Sequence, residues 1–341
     1  MKKYNIDLRS DTITIPTEGM LDSMFSAKVG DDVWEEDETV QILENHLANM
    51  FSKDAALFCP SGTMTNQIAI RVHTKMGDEL ICDKLSHIYN YEGGGIASNS
   101  GVSVRLVEGV FGRISVENIK NNINPDDVHF SRTRLVCLEN TVNKGGGVCY
   151  NYADMKDIST FCRKNNLILH LDGARIFNAL MEKSDSSLEY GKLFDSVSVC
   201  LSKGLGAPIG SVLIGDLDFI YEARRVRKSF GGGMRQVGYL AAAGLYAINN
   251  NINRLKEDHV RAKVIGEVLS EINCVENIRP IETNIVIFDI KKTHILNFKK
   301  LLINNCIYAS FMGDNTIRFV THLGFNDDQL SIVCNTLKKL H

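Results

Sequence analysis

Several things are scarce in this sequence. Its 341 residues hold five prolines and a single tryptophan, Trp34. An excess of one charge is missing too: 38 Lys and Arg stand against 41 Asp and Glu, a net charge of -3, with no basic block. Nucleic acid and anionic membrane surfaces therefore find no electrostatic partner here. No apolar run is long enough to span a bilayer, and MKKYNIDLRSD lacks the pattern of a signal peptide. The nine cysteines are scattered, with no CxxC pair. Cys59, Cys82, Cys137 and Cys200 fall in apolar, strand-like runs, which reads as buried thiols in a reducing, cytoplasmic setting. No ligand cluster supports zinc, so no metal site is expected. Low-complexity linkers and internal repeats are also lacking. No GxGxxG opens a helix after the first strand, which sets a nicotinamide-binding fold aside.

What is present is ordinary for a globular chain with a sizeable core: 44% hydrophobic and 23% charged residues. The length suggests roughly two domains. Met1–Pro16 reads as an arm outside the core, because DLRSDT is too densely polar for a half-buried strand. Met20–Ala27 and Thr39–Phe51 have helical apolar spacing around an acidic loop, Gly30–Glu38, that carries Trp34. Short apolar runs then alternate with helical stretches: DAALFC, ELIC, VSVRLV, RLVCLE, LILHLD, Val197–Leu201 and SVLIG. That pattern predicts an α/β fold with a mostly parallel sheet covered on both faces. A long helical region starts at Gln236. Beyond Pro280 the order changes to strand (Asn284–Ile290), helix (Thr293–Asn304), strands (Ile307–Met312, Thr316–Thr321) and helix (Asp327–Leu340). This predicts a large domain over residues 1–250, arm included, and a small α+β domain over 251–341.

The stretch SVCLSKGLGAPIG bears most directly on function. A buried strand breaks off at Ser202 and Lys203 among glycines. A lysine at such a strand end can present a partly desolvated amine to a carbonyl compound and form a Schiff base; a solvated loop lysine is the plainer reading. Upstream, LILHLD ends a second apolar run in Asp172, followed by Gly173, Ala174 and Arg175. A lysine for the aldehyde carbon and a carboxylate for the ring nitrogen are the pair that pyridoxal phosphate requires. Asp172 as the cap of a following helix is the alternative.

HLDGARIFNAL and CLSKGLGAPIGSVL resemble the low-specificity L-threonine aldolases, pyridoxal 5'-phosphate (PLP) enzymes of the aspartate aminotransferase-like fold. DLRSDTITIPT, VGDDVWEEDETV, FCPSGTMTNQIA, KSFGGGMRQVG and IRFVTHLGF match the same family in the same order, from about Asp7 onward. The resemblance implies a PLP-dependent transferase-like large domain with a seven-stranded sheet. It also implies retro-aldol cleavage of L-threonine, L-allo-threonine and related L-3-hydroxy-α-amino acids to glycine and an aldehyde. Assembly as a homodimer or homotetramer with active sites shared between subunits follows from it too. A β-eliminating lyase of the same fold, recognised by pyruvate and ammonia, is the nearest alternative. A non-catalytic relative is a more distant one.

Other residues join this reading. Ser61, Gly62 and Thr63 follow a strand and open a helix, where free N–H groups suit a phosphate or simply cap the helix; Ser202 adds a hydroxyl. The family match stacks His87, in LSHIYNYEGGG, on the cofactor ring, with Tyr91 lining the same pocket. It brings His129 toward the substrate hydroxyl, although its flanking Asp126 and Asp127 suit a surface histidine. The base is His87, His129 or a bound water. Asn140 and Thr141 follow a strand end and could face the pocket. Arg175 and Arg318, with Ser10, are candidates for the substrate carboxylate, since a guanidinium pairs with it through a planar fork. Lys228 and Arg235 flank SFGGGM, a loop that in the family approaches the site, in part from a neighbouring subunit; a basic solvated loop is the alternative. Trp34 is placed near substrate and subunit contacts. Relatives carry His, Arg and Tyr where this chain has Val142, Ile15 and Trp34.

Overall fold

The computed structural model describes residues 5–340. Seven short strands form one sheet in the order Ala55–Cys59, Ser211–Gly215, Ser196–Cys200, Ile168–Gly173, Thr133–Glu139, Glu79–Asp83, Ser103–Val107. Each expected apolar run is one of these strands. Ser211–Gly215 runs antiparallel to both neighbours, and the other contacts between sequence-parallel strands are parallel. Most central residues of these strands are buried because helices cover both faces, among them Gly62–His73, Tyr152–Lys164 and Leu217–Ser229.

One result of this topology positions everything that follows. Cys59, Asp83, Glu139, Gly173 and Cys200 all end their strands at the same edge of the sheet. The loops leaving those ends carry Ser61, His87, Asn143, Arg175 and Lys203. In open α/β sheets, ligands bind outside the carboxyl ends of the strands.

Two helices, Gly238–Asn251 and Leu255–Ser270, lead to a second, antiparallel sheet ordered Ser310–Phe311, Thr316–Val320, Ile285–Ile290, Val275–Glu276. Its apolar face packs Phe288, Phe319 and Ile317 against helices Leu255–Ser270, Ile295–Asn304 and Asp327–Leu337.

Two sequence expectations need correction. The described part of the arm is not outside the core. Ile6 and Leu8 are fully buried in the second core, and Ile6–Asp7 pairs in parallel with Ile307–Tyr308. Alternate residues of a dense polar stretch can still face inward, which the count of polar groups hides. The run Ile307–Met312 is likewise not one strand. Ile307–Tyr308 pairs with the arm, while Ser310–Phe311 pairs with Thr316–Val320. The expectation for Met1–Pro16 falls partly on residues 1–4, outside those described. No described helix is long and apolar enough to cross a membrane.

Candidate active site

The strand ends enclose two adjoining cavities. The deeper, about 180 Å³, is lined by Ser61, Gly62, Thr63, Asn66, His87, Asp172, Ala174, Cys200, Ser202 and Lys203. The outer, about 380 Å³, is lined by Ser10, Thr12, His87, Tyr91, Asn143, Arg175, Lys203, Ser310, Phe311, Met312 and Arg318. His87 and Lys203 belong to both.

The deeper cavity brings the two sequence motifs together. Lys203 sits on the turn after Ser196–Cys200. Its carbonyl accepts from Gly206 N–H, and Thr14 Oγ1 of the arm donates to the same carbonyl at 3.0 Å. Gly206 takes φ +84°, a left-handed conformation that lets this turn close. Asp172 is not a helix cap. It lies within its strand, one residue before the end at Gly173, while the next helix, Ile176–Lys183, is preceded by Arg175 at the cap position. The residue is 2% exposed, and its carboxylate accepts from Ala174 N–H at 3.2 Å and from the Asn66 amide at 3.0 Å.

Opposite them, the Gly62–His73 helix points its first turn into the cavity. Ser61 caps it by accepting from Met64 N–H at 3.2 Å. Among the described residues, the N–H groups of Gly62 and Thr63 donate to nothing. A Cβ at residue 62 would lie 2.5 Å from Cys200 Sγ, so only glycine lets the helix end approach the strand. A lysine, a buried carboxylate and an open helix N-terminus in one cavity match the three handles of PLP: aldehyde, ring nitrogen and phosphate. The residues present fit the cofactor.

The outer cavity joins three parts of the chain. Arg175 is buried and gives its fork to Asp11, Nε to Oδ2 and Nη2 to Oδ1, both at 2.7 Å. Burial pushes the Asp11 carboxyl up, but the charge and hydrogen bonds of Arg175, with Lys203 and Asn284, outweigh it and hold its pKa at about 2. Arg318 lies on the face of its strand opposite Ile317 and Phe319, as the alternation predicts. It donates to Asn143 Oδ1 at 2.8 Å and to the Arg9 carbonyl at 3.0 Å, and its buried Nε has no partner among the described residues. Burial and the nearby Arg175 charge lower its pKa. Ser10 lines the cavity and accepts from Thr12 N–H at 3.2 Å.

Behind His87 lie two carboxylates. Glu92 Oε1 is 3.0 Å from His87 Nδ1, and Glu139 Oε2 accepts from the His87 backbone N–H at 2.7 Å. Burial and the Asp172 charge push Glu139 up to about 7, against the two backbone N–H groups it accepts from. Tyr91 stands 5.5 Å from His87, ring to ring.

Other expected residues lie elsewhere in this chain. His129 is exposed, pairs with Asp127 at 2.7 Å, and lines neither cavity. Lys228 lines a separate cavity with Val33 and Tyr221, and Arg235 pairs with Asp31 at 2.8 Å. Trp34 is 73% exposed on a short helical turn, away from both cavities. Asn140 and Thr141 are buried outside the cavities; Asn143, two residues on, faces the outer one. Sequence reasoning missed Asp11, Asn66, Glu92, Glu139 and Asn143. For Asp11, the only signal was its place beside Ser10 in a motif already singled out.

Comparison with known proteins shows the family. The family model for beta-eliminating lyases matches residues 7–293. A low specificity L-threonine aldolase of Escherichia coli O157:H7 is 40% identical over 335 residues, 96% of this chain and 97% of that protein. The low-specificity L-threonine aldolase 1 of Arabidopsis thaliana is 40% identical over 330 residues, 94% of this chain and 92% of that one. In fold, a threonine aldolase from Leishmania major superposes with a TM-score of 0.86 at 21% identity, covering 98% of this chain and 99% of that one. The chain belongs to the beta-eliminating lyase family, among the low-specificity L-threonine aldolases.

Proposed function

We propose that this protein uses PLP to cleave L-3-hydroxy-α-amino acids, L-threonine and L-allo-threonine among them, into glycine and an aldehyde. The observation that carries the reading is the meeting of Lys203, Asp172 and the Gly62 helix end in one cavity that opens onto a second, arginine-lined one.

In this reading Lys203 would hold the cofactor through its aldehyde carbon. Asp172 would keep the ring nitrogen protonated, and His87, which lines both cavities, would border the cofactor. Gly62 and Thr63 N–H, with the Ser61 and Ser202 hydroxyls, take the phosphate. When bound, the cofactor supplies an electron sink for the pair left at Cα as the Cα–Cβ bond breaks. Arg318 takes the substrate carboxylate, with Ser10. Arg175, whose fork already faces Asp11, has only its remaining N–H groups to offer. Holding the carboxylate in the outer cavity turns the Cα–Cβ bond toward the overlap that cleavage needs. Of the two candidate histidines, only His87 lines the cavities within one subunit.

The chain assembles as a homodimer or homotetramer. Ile15, Phe25, Trp34 and Val128 are exposed apolar side chains that such an interface would cover. Lys228, Arg235 and His129 then act on a neighbouring subunit's site. Nine free thiols, seven of them buried, suit a cytoplasmic setting.

The test is product analysis with PLP-loaded protein and L-threonine. Equimolar glycine and acetaldehyde are expected. Release of 2-oxobutanoate and ammonia instead would make the protein an eliminating lyase.

A further inference from the structure

The groups behind His87 are buried, and burial decides which atom donates to which. His170 Nε2 lies 3.1 Å from Asn66 Oδ1, and its Nδ1 lies 2.8 Å from Ser196 Oγ. An amide oxygen only accepts, so Nε2 carries the proton. Burial pushes the pKa of His170 down to about 4, so the ring is neutral near pH 7 and Nδ1 accepts from the Ser196 hydroxyl. The same hydroxyl oxygen accepts from His73 Nε2 at 2.8 Å. Burial holds that ring neutral too, at about 3.

With its oxygen taken by His170, Asn66 turns its amino group to two carboxylates. It donates to Glu92 Oε1 at 2.9 Å and to Asp172 Oδ2 at 3.0 Å. Gln67 Nε2 donates to Glu92 Oε2 at 2.7 Å. The Glu92 side chain is fully buried, and both of its oxygens already accept from amide donors. His87 Nδ1, 3.0 Å from Oε1, is therefore the donor in that contact. Its Nε2 is left as the acceptor.

We propose that Glu92 is a positioning residue that fixes His87 in the Nδ1–H tautomer, so that Nε2 accepts the β-hydroxyl proton of the substrate. This rests on the cleavage reading above. The O–H proton passes to Nε2, and the oxygen's electrons form the aldehyde C=O. The Cα–Cβ pair stays with the glycine fragment, which takes a proton at Cα. A tautomer set by a carboxylate behind the imidazole is a known way to make a base.

The charges around His87 come from several elements. Glu92, Asp172 and Glu139 are the acids; Lys203, Arg175 and Arg318 line the same cavities, and Lys144 lies over the Tyr91 ring. Burial lowers the pKa of His87, but the Glu92 hydrogen bond and the three carboxylate charges outweigh it, and the net shift is upward.

The experiment compares wild type, Glu92→Gln and Glu92→Asp as PLP-loaded enzymes. A glutamine removes the charge and sets an amino group among the donors Asn66, Gln67 and His87, so the Nδ1–H loses its fixed carboxylate acceptor. Cleavage of L-threonine by Glu92→Gln should fall by about 10²- to 10⁴-fold, the usual worth of a positioned base. Affinity for glycine, which has no β-hydroxyl, should stay near the wild-type value. The acid limb of kcat/KM should move to lower pH, because the charge that raised His87 is gone. Glu92→Asp, which keeps the charge, should recover part of the rate. Nitrogen-15 spectra of histidine-labelled resting enzyme should show Nδ1–H alone at His87 in wild type and loss of that single tautomer in Glu92→Gln. Wild-type Nε2–H, an unchanged cleavage rate, or equal losses of cleavage and glycine affinity would overturn the assignment. Product identity is read on wild type and the tautomer on resting enzyme, so failure of the cleavage reading and failure of the Glu92 role appear in separate signals.

Discussion

The two cavities share Lys203 and His87 but are built in different ways. The deeper one rests on loops and a helix that leave the large sheet at one edge, joined by a buried hydrogen-bond network through Asn66. The outer one exists only where the arm, the large sheet and the small sheet meet, with Ser10, Arg175 and Arg318 one from each. Ionic and polar contacts hold that junction: Arg175 to Asp11 and Asn284 to Asp11 at 3.3 Å, both buried, and Arg318 to Asn143, partly buried. The lesson is a division of labour. The residues proposed to hold the cofactor sit on the frame of the large sheet, and those proposed to hold the substrate sit on a seam between parts.

The most damaging way to attack the seam is Asp11→Ala. It leaves Arg175 buried and unpaired, which should cost about 3–5 kcal/mol of stability, read as a lower midpoint in urea unfolding. The sign with pH follows from the depressed pKa of Asp11. Its contribution is complete above an ordinary aspartate pKa and is lost as pH falls through about 2. An acid-unfolding curve of Asp11→Asn should lack that component.

Asp172→Asn strikes the frame instead. It should retain the fold and bind PLP, yet lower kcat by on the order of 10²–10³-fold, because a charge placed to stabilise the developing carbanion is removed. Near wild-type kcat would reduce Asp172 to a structural partner of Asn66.

Arg318→Ala sharpens the contrast. Cofactor retention and the resting absorbance spectrum should be unchanged, while glycine binding weakens by about 1.5–3 kcal/mol, one to two decades in affinity. Arg318→Lys should recover little, because a point charge does not reproduce the fork. Unchanged glycine affinity would return the carboxylate to Arg175.

The smallest effect is expected from Trp34→Ala. Exposed as it is, the residue should contribute within about 0.5 kcal/mol to the fold of one subunit. Light scattering on dilution should nevertheless show weaker subunit association. A monomeric wild type with full activity would remove the shared-site reading altogether.

The frame was far more legible in the sequence than the seam, for a physical reason. Lys203 and Asp172 each interrupt an apolar strand, and a polar group at the end of a buried run is visible in one dimension. Arg318 was visible through its alternation with Ile317 and Phe319. Asp11 and Glu92 gave no such sign: an acid in DLRSDT or beside a glycine run looks solvated until its tertiary partners bury it. The partners of Glu92 are Asn66, Gln67 and His87, the first two on another helix, so no local period announces them. His129 shows the converse, since its motif was legible while the folded subunit leaves it exposed.

The central claim is that Lys203 and Asp172 meet to hold PLP. The most direct measurement is borohydride reduction of the PLP-loaded protein, followed by proteolysis and mass mapping. The account predicts one modified peptide, carrying the cofactor on Lys203, and no fixed adduct in Lys203→Ala. Modification of a different lysine in the wild type would contradict it.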